Sequence, residues 1–179
     1  PQSSLPAGRL MSVGGFSVRD YAGVCERLDA EDGIDVIELN LSCPNVEEAP
    51  ETAAELVGAA RNATAKPIYA KLSPATWNIA ENARAVAAAG ADGLSLVNTI
   101  RGLELDARAR RPMLARGAGG YSGPALRPIA LACVNACAED VDLPIVGMGG
   151  VASVGDVLDF VSAGASAVGL GTVLFSNPL

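Results

Sequence analysis

The chain has 179 residues, half of them hydrophobic, which is enough for one domain with a buried core. Its net charge of -7 and the lack of any basic run argue against nucleic acid or an anionic membrane surface as a partner. With no histidine, and with Cys25, Cys43, Cys133 and Cys137 spaced without a Cys-x-x-Cys pair, it lacks the makings of a metal site or a Ser-His-Asp triad.

No apolar stretch is long enough to span a bilayer, and the first residues lack the charged-then-apolar order of a signal peptide, so a cytoplasmic protein with reduced thiols is expected. Residues 10–13 form a short apolar run closed by Gly14-Gly15, and Ser17-Val18-Arg19-Asp20 has the form of a capping box opening a helix to about Leu28. A strand follows over 35–40, built on Val36, Ile37 and Leu39, and the polar run Asn40, Ser42, Cys43, Pro44, Asn45 begins where the apolar run thins out. Helical spacing over 52–63 stops before Lys66-Pro67, and 68–72 reads as a strand ending in Lys71, Ser73 and Pro74. A helix over 78–89 closes at Gly90, and the strand of Leu94, Leu96 and Val97 ends in Asn98-Thr99.

Residues 100–123 break this rhythm, because they carry no clear periodicity and exceed the usual loop length. Their five arginines, Arg101, Arg108, Arg110, Arg111 and Arg116, read as solvated side chains. Their glycine-rich end, GAGGYSGPA, could bring backbone N–H groups close to an anion. Beyond them come a helix over 125–138, a strand over 144–147 followed by Met148-Gly149-Gly150, a helix capped by Ser153 and Asp156, and a strand over 168–170 ending in Gly171-Thr172. The segments AAAGADGLSL and VSAGASAVGL look like copies of one helix-to-strand turn, centred on Gly90 and Gly164.

Strands alternating with helices and no hairpin signals indicate a parallel α/β sheet. An eight-stranded β/α barrel typically needs about 250 residues. The chain therefore reads as a partial (β/α)8 TIM barrel with about six of the eight strands, truncated at both ends and with open sheet edges; an open doubly wound sheet is the alternative. In either fold the polar residues at the strand ends share one rim: Asn40 and Cys43, Lys71, Asn98 and Thr99, Gly149 and Gly150, Gly171 and Thr172. Taken singly, a strand-end cysteine is commonly a small hydrophobe, a lysine there snorkels and an asparagine caps. Glycine clusters after both of the last two strands together favour a phosphate site. Cys25, Cys133 and Cys137 fall in helical patterns and read as packing residues.

Taken in order, ELNLSCPNV, KLSP, GLSLVNT, GGYSGPALRPIAL, PIVGMGG and GASAVGLGT resemble the dihydroorotate dehydrogenases, FMN enzymes of pyrimidine (UMP) biosynthesis, most closely the cytosolic class 1B catalytic subunits. The membrane-bound class is less similar, since its base is a serine where this chain has Cys43. The resemblance implies a single FMN-binding domain over residues 1–179, with Cys43 as the base, Asn40 touching both flavin and substrate, and Asn45, Asn98 and Thr99 on the pyrimidine. It also implies Lys71 and Val97 along the flavin, with Gly123, Gly149, Gly150, Gly171 and Thr172 around the ribityl phosphate. Cys43 would take the C5 proton of dihydroorotate while C6 gives hydride to the flavin, forming orotate. A thiol with a reference pKa of about 8.5 suits that step better than a serine hydroxyl. The partners implied are an electron-transfer subunit holding FAD and an iron-sulfur cluster, with NAD as acceptor and fumarate as the alternative, in a homodimer or heterotetramer.

Three departures accompany the resemblance. The family's first two strands precede residue 1, Ser12 stands where relatives often have an asparagine near the flavin, and 46–57 lacks a glycine-rich insertion of the substrate-closing loop. Other FMN barrels remain open as readings. Dihydropyrimidine dehydrogenase shares NLSCP but has histidine at the position of Asn45, and dihydrouridine synthase has a similar Asn-x-x-Cys-Pro run. A non-catalytic flavin-binding fragment is the reading from a different class.

Overall fold

The computed structural model describes residues 8–42 and 50–178. In chain order the elements are β1 (Leu10–Val13), α1 (Val18–Asp29), β2 (Val36–Asn40), α2 (Pro50–Ala63), β3 (Ile68–Leu72), α3 (Ile79–Ala88) and β4 (Gly93–Leu96). There follow β5 (Ile100–Gly102), β6 (Gly119–Tyr121), a 3-10 turn (Pro124–Leu126), α4 (Arg127–Ala138), β7 (Ile145–Met148), α5 (Val154–Ser162), β8 (Ala167–Gly169) and the short α6 (Val173–Ser176).

β1, β2, β3, β4, β7 and β8 lie side by side in that order as one parallel sheet. A doubly wound sheet reverses its winding at a switch point, whereas a β/α barrel adds each new strand beside the last. The observed order never reverses, so the topology is that of a barrel, and the doubly wound alternative is set aside. β1 and β8 are the edges of the described sheet.

Strand alternation gives the sheet two different faces. Ile37 and Ile68, Leu39 and Ala70, Leu72 and Leu96, and Leu94 and Ile145 are register partners, and all are buried. This face lies under the helices: a Cβ on Gly147 would sit 2.6 Å from the Phe160 ring of α5 and 3.0 Å from Ala165. Leu56, Val57 and Ala60 of α2, Ala83 and Val86 of α3, and Ala130 and Val134 of α4 complete the core there. The opposite face carries Ser12 beside Glu38, Asn40 beside Lys71, and Lys71 beside Ser95. A sheet with an apolar outer face under helices and a polar inner face directs its chemistry inward and toward the strand ends.

The two look-alike turns are the same structure. Gly90 and Gly164 have φ of 102° and 108°, and each is followed by an alanine N–H bonded five residues back, Ala91 to Val86 and Ala165 to Phe160, both at 3.0 Å. That is a helix stop in which only glycine takes the left-handed turn without strain. Ser153 and Asp156 close a full capping box on α5. On α1, Ser17 caps Asp20 N, and the Asp20 carboxylate accepts from Phe16 N at 3.0 Å.

Residues 100–123 are not structureless, which corrects the expectation of a long connection without hairpins. β5 and β6 form an antiparallel ribbon that pairs Ile100 with Tyr121, Arg101 with Gly120 and Gly102 with Gly119. Strands with so many glycines have no alternating apolar pattern, so periodicity could not reveal them. The five arginines of this connection are exposed, as expected.

Candidate functional site

Each strand of the sheet ends in a polar or glycine-rich turn, and these turns meet along one rim. Asn40 ends β2, and its Oδ1 accepts from Nδ2 of Asn98 at 2.9 Å and from Ser42 N at 3.3 Å. The Tyr21 hydroxyl of α1 donates to the main-chain oxygen of Asn40 at 2.6 Å. Asn98 Oδ1 accepts from Thr99 N at 2.8 Å, while Asn98 N donates to Leu72 O at 3.0 Å and Val97 N to Met148 O at 2.9 Å. The end of β4, with a cis peptide at Leu96–Val97, is thus stitched to both β3 and β7. Two carboxamides from strands two apart are locked into one hydrogen-bonded unit.

Beside this unit opens a cleft of about 370 Å³ lined by Lys71, Val97, Asn98, Thr99, Gly123, Gly149, Gly150, Gly171 and Thr172. Sequence reasoning singled out every one of these residues. Ser122, Leu126, Met148, Val151, Gly169 and Leu170 also line it and were not foreseen. A second cavity of about 230 Å³ lies across Asn98 and Thr99, with Ser42, Ser73, Arg101 and Gly120 in its wall. A Cβ on Gly120 would run into the Thr99 hydroxyl, so the ribbon backs directly onto that residue. Asn40 lines neither of these two cavities and is joined to Asn98, which lines both. Cys43 and Asn45 lie outside the described residues; Ser42, just before them, has a buried hydroxyl with no hydrogen-bond partner among the described residues.

The cleft's glycines are not equivalent. Gly150 has φ 76°, and a Cβ there would lie 2.6 Å from Gly123 O and 2.8 Å from Arg127 N, both backbone atoms. Gly149 has φ 124° and would meet Ala130 and Leu126 at 3.1 and 3.3 Å. Gly123, at φ 97°, needs its backbone freedom but has open space, and Gly171 has open space without a left-handed φ. Close backbone approach at Gly150, beside the first turns of α4 and α5, leaves no room there for a side chain, so the cleft wall at this turn is bare backbone. Arg127 braces that wall by pairing with Asp156 at 3.2 Å and with Asp159. The Ala152 and Ser153 N–H groups and the Ser153 hydroxyl bond the Asp156 carboxylate. The Ala152 bond above all, with help from Ser153 and the Arg127 charge, holds Asp156 below the ordinary carboxylate range.

Lys71 is not the unpaired snorkelling lysine that its position suggests. Its Nζ lies 3.6 Å from Glu38 Oε1, and Ser12 Oγ donates to the same oxygen at 2.7 Å. Glu38 is 3% exposed. It is a functional candidate that sequence reasoning missed, and the signal was a carboxylate inside the apolar run VIELN. Of the remaining cysteines, Cys25 and Cys137 are buried and Cys133 is half-buried. Burial pushes all three thiols up, Cys137 to about 12 with added repulsion from Cys133 and Asp140, which disfavours the reactive thiolate.

Among the described residues no helix is long and apolar enough to cross a membrane. A family model described as dihydroorotate dehydrogenase matches residues 3–179. The chain is 44% identical over 174 residues to the "Dihydroorotate dehydrogenase B (NAD(+)), catalytic subunit" of Halalkalibacterium halodurans, covering 93% of this chain and 57% of that protein. It is 45% identical over 176 residues to the protein of the same name from Desulforamulus reducens, covering 94% and 58%. The chain thus spans somewhat more than half the length of these relatives. A crystal structure of dihydroorotate dehydrogenase from Eimeria tenella in complex with ferulenol superimposes with a TM-score of 0.73 at 21% identity, over 90% of this chain and 50% of that one, and supports the fold.

Proposed function

The chain belongs to the dihydroorotate dehydrogenase family, and from that premise we propose that it carries the flavin and pyrimidine sites of an enzyme oxidising dihydroorotate to orotate. FMN is the cofactor in this reading. The observation that carries it is the 370 Å³ cleft, in which the glycine turns after β7 and β8 share one wall with Lys71, Asn98 and Thr99. The fit to a phosphate-bearing group rests on Gly123, Gly149, Gly150 and Gly171, which line the cleft without side chains just ahead of the helices that follow them.

The residues would divide the work as follows. Gly123, Gly149, Gly150, Gly171 and Thr172 would hold the ribityl phosphate, with Lys71 and Val97 along the ring system. Bound flavin supplies the hydride acceptor. The second cavity, which shares Asn98 and Thr99 with the first, would hold the pyrimidine, oriented by the locked Asn40–Asn98 amides and by Asn45. Because Asn40 Oδ1 already accepts two hydrogen bonds, the pair has one fixed orientation, and a planar imide would meet donors and acceptors in set places. Cys43, next to the cavity-lining Ser42, would take the C5 proton as a thiolate and leave as the neutral thiol while C6 loses hydride. The reading includes a cytoplasmic enzyme whose residues 1–179 form part of one FMN barrel domain. Its partner would be an electron-transfer subunit with FAD and an iron-sulfur cluster feeding NAD, in a homodimer or heterotetramer.

The test is anaerobic stopped-flow reduction of the flavin in the holoenzyme. Dihydroorotate is expected to bleach the flavin, and Cys43→Ala to retain the flavin while slowing that bleaching by about 10²-fold or more, the scale for losing a general base. Equal rates in wild type and Cys43→Ala would overturn the base assignment. Bleaching by dihydrouracil but not by dihydroorotate would overturn the substrate.

A further inference from the structure

Glu38 is the one buried carboxylate among the described residues. It sits mid-strand in β2 between Ile37 and Leu39, which point to the helix-covered face, so its own side chain points to the inner face. A carboxylate so placed is costly to desolvate unless its charge is met and its oxygens are bonded. Two neighbours do this from opposite sides. Ser12, its register partner on β1, donates to Oε1 at 2.7 Å, and the Lys71 ammonium on β3 lies 3.6 Å from the same oxygen.

The three groups differ in their access to the cleft. The Glu38 side chain is 5% exposed, whereas that of Lys71 is 22% exposed and lines the 370 Å³ cleft. The ammonium therefore has a buried anion on one side and the cleft on the other. An ammonium has three donors, and the Glu38 oxygen engages it from one direction, leaving donors for a ligand. A lysine stem has many rotamers, and a free one would leave its charge in solvent. The ion pair removes that freedom before any ligand arrives.

We propose that Glu38 is a positioning residue: its buried carboxylate, itself oriented by Ser12, holds the Lys71 ammonium against the cleft and thereby sets how tightly the flavin is held and how readily it is reduced. The inference rests on the flavin reading of the cleft. Glu38 touches neither flavin nor substrate, and its effect passes through Lys71.

A double-mutant cycle on the holoenzyme, read as the Kd for FMN and as the flavin midpoint potential, tests it. Glu38→Gln keeps the shape and the Ser12 hydrogen bond but removes the charge, and is expected to raise the Kd about tenfold, within the usual range of coupling between contacting residues. Lys71→Met is expected to raise it at least as much, and Glu38→Gln is expected to change it less than about twofold in the Lys71→Met background. The midpoint potential is expected to fall in both single variants, without the two falls adding. Ser12→Ala, which leaves both charges in place, is expected to show a smaller Kd increase that also vanishes with Lys71→Met, and serves if Glu38→Gln does not fold. An equal effect of Glu38→Gln with and without Lys71, or no effect in either, would overturn the inference. A wild-type holoenzyme preparation with no affinity for FMN overturns the flavin reading and this inference with it, whereas tight FMN binding with a flat cycle overturns this inference alone.

Discussion

Replacing Gly150 and Gly171 by alanine, one at a time, separates a glycine required by the architecture from one required only by a ligand. At Gly150 the left-handed φ of 76° costs a side-chain-bearing residue about 1–2 kcal/mol. The new Cβ would also lie 2.6 Å from Gly123 O and 2.8 Å from Arg127 N, backbone atoms of the facing turn that cannot swing aside. Overpacking of that kind adds about 1–3 kcal/mol, so the total is about 2–5 kcal/mol. At Gly171 nothing lies within 4 Å and φ is not left-handed, so alanine there is expected to stay within about 0.5 kcal/mol of wild type. Urea midpoints of the full-length protein, with and without FMN, give the stability change, and fluorescence titration gives the FMN affinity. Because the clash at Gly150 pushes on Gly123, which also lines the cleft, Gly150→Ala is expected to lose about tenfold or more in FMN affinity, for which about 1.4 kcal/mol suffices. Gly171→Asp adds a negative charge without a clash, and is expected to weaken FMN at unchanged stability. Equal midpoints for Gly150→Ala and wild type, or equal damage from the two alanines, would refute the packing argument.

Two further outcomes follow from the electrostatics. The folded-state pKa of Asp156 is depressed, so its capping contribution is present at neutral pH and is lost as pH falls through that lowered value. Asp156→Ala should thus be less stable than wild type at neutral pH, and the gap between their urea midpoints should close on acidification; a pH-independent gap would show that the charge is irrelevant. With its thiol pushed up to about 12, Cys137 is expected to resist iodoacetamide at pH 8 in the native protein, as is the buried Cys25. Peptide mapping that finds either one alkylated before unfolding would contradict the burial.

Where a feature is written in consecutive residues, the sequence was enough. The apolar runs of β2, β3 and β7 are buried on one face by their own alternation, and the Ala-Gly-Ala turns at Gly90 and Gly164 stop helices through hydrogen bonds five residues long. Lys71, Val97, Asn98, Thr99, Gly149, Gly150, Gly171 and Thr172 of the cleft were legible for the same reason, since each stands at or just past the end of a strand that could be recognised locally. Reading the strands in chain order around one sheet was then sufficient to bring Lys71, Asn98, Gly150 and Thr172 to a single rim. The ribbon of β5 and β6 was not legible, because its glycines carry no pattern and its pairing joins residues about twenty apart.

Only the folded chain decided which polar groups meet. Glu38 looks like an anomaly in an apolar strand until the register sets it beside Ser12 and one diagonal step from Lys71, on the face that the helices do not cover. The need for glycine at Gly150 comes from Gly123 and Arg127, which are distant in sequence and near only because α4 packs under the end of β7. The Asn40–Asn98 bond joins the ends of two strands with a third between them. Local sequence determines which segments become strands and helices, because propensity and periodicity act over a few residues. Ion pairs, close backbone approaches and locked amides depend on distances across the sheet, which exist only after register and helix packing have fixed them.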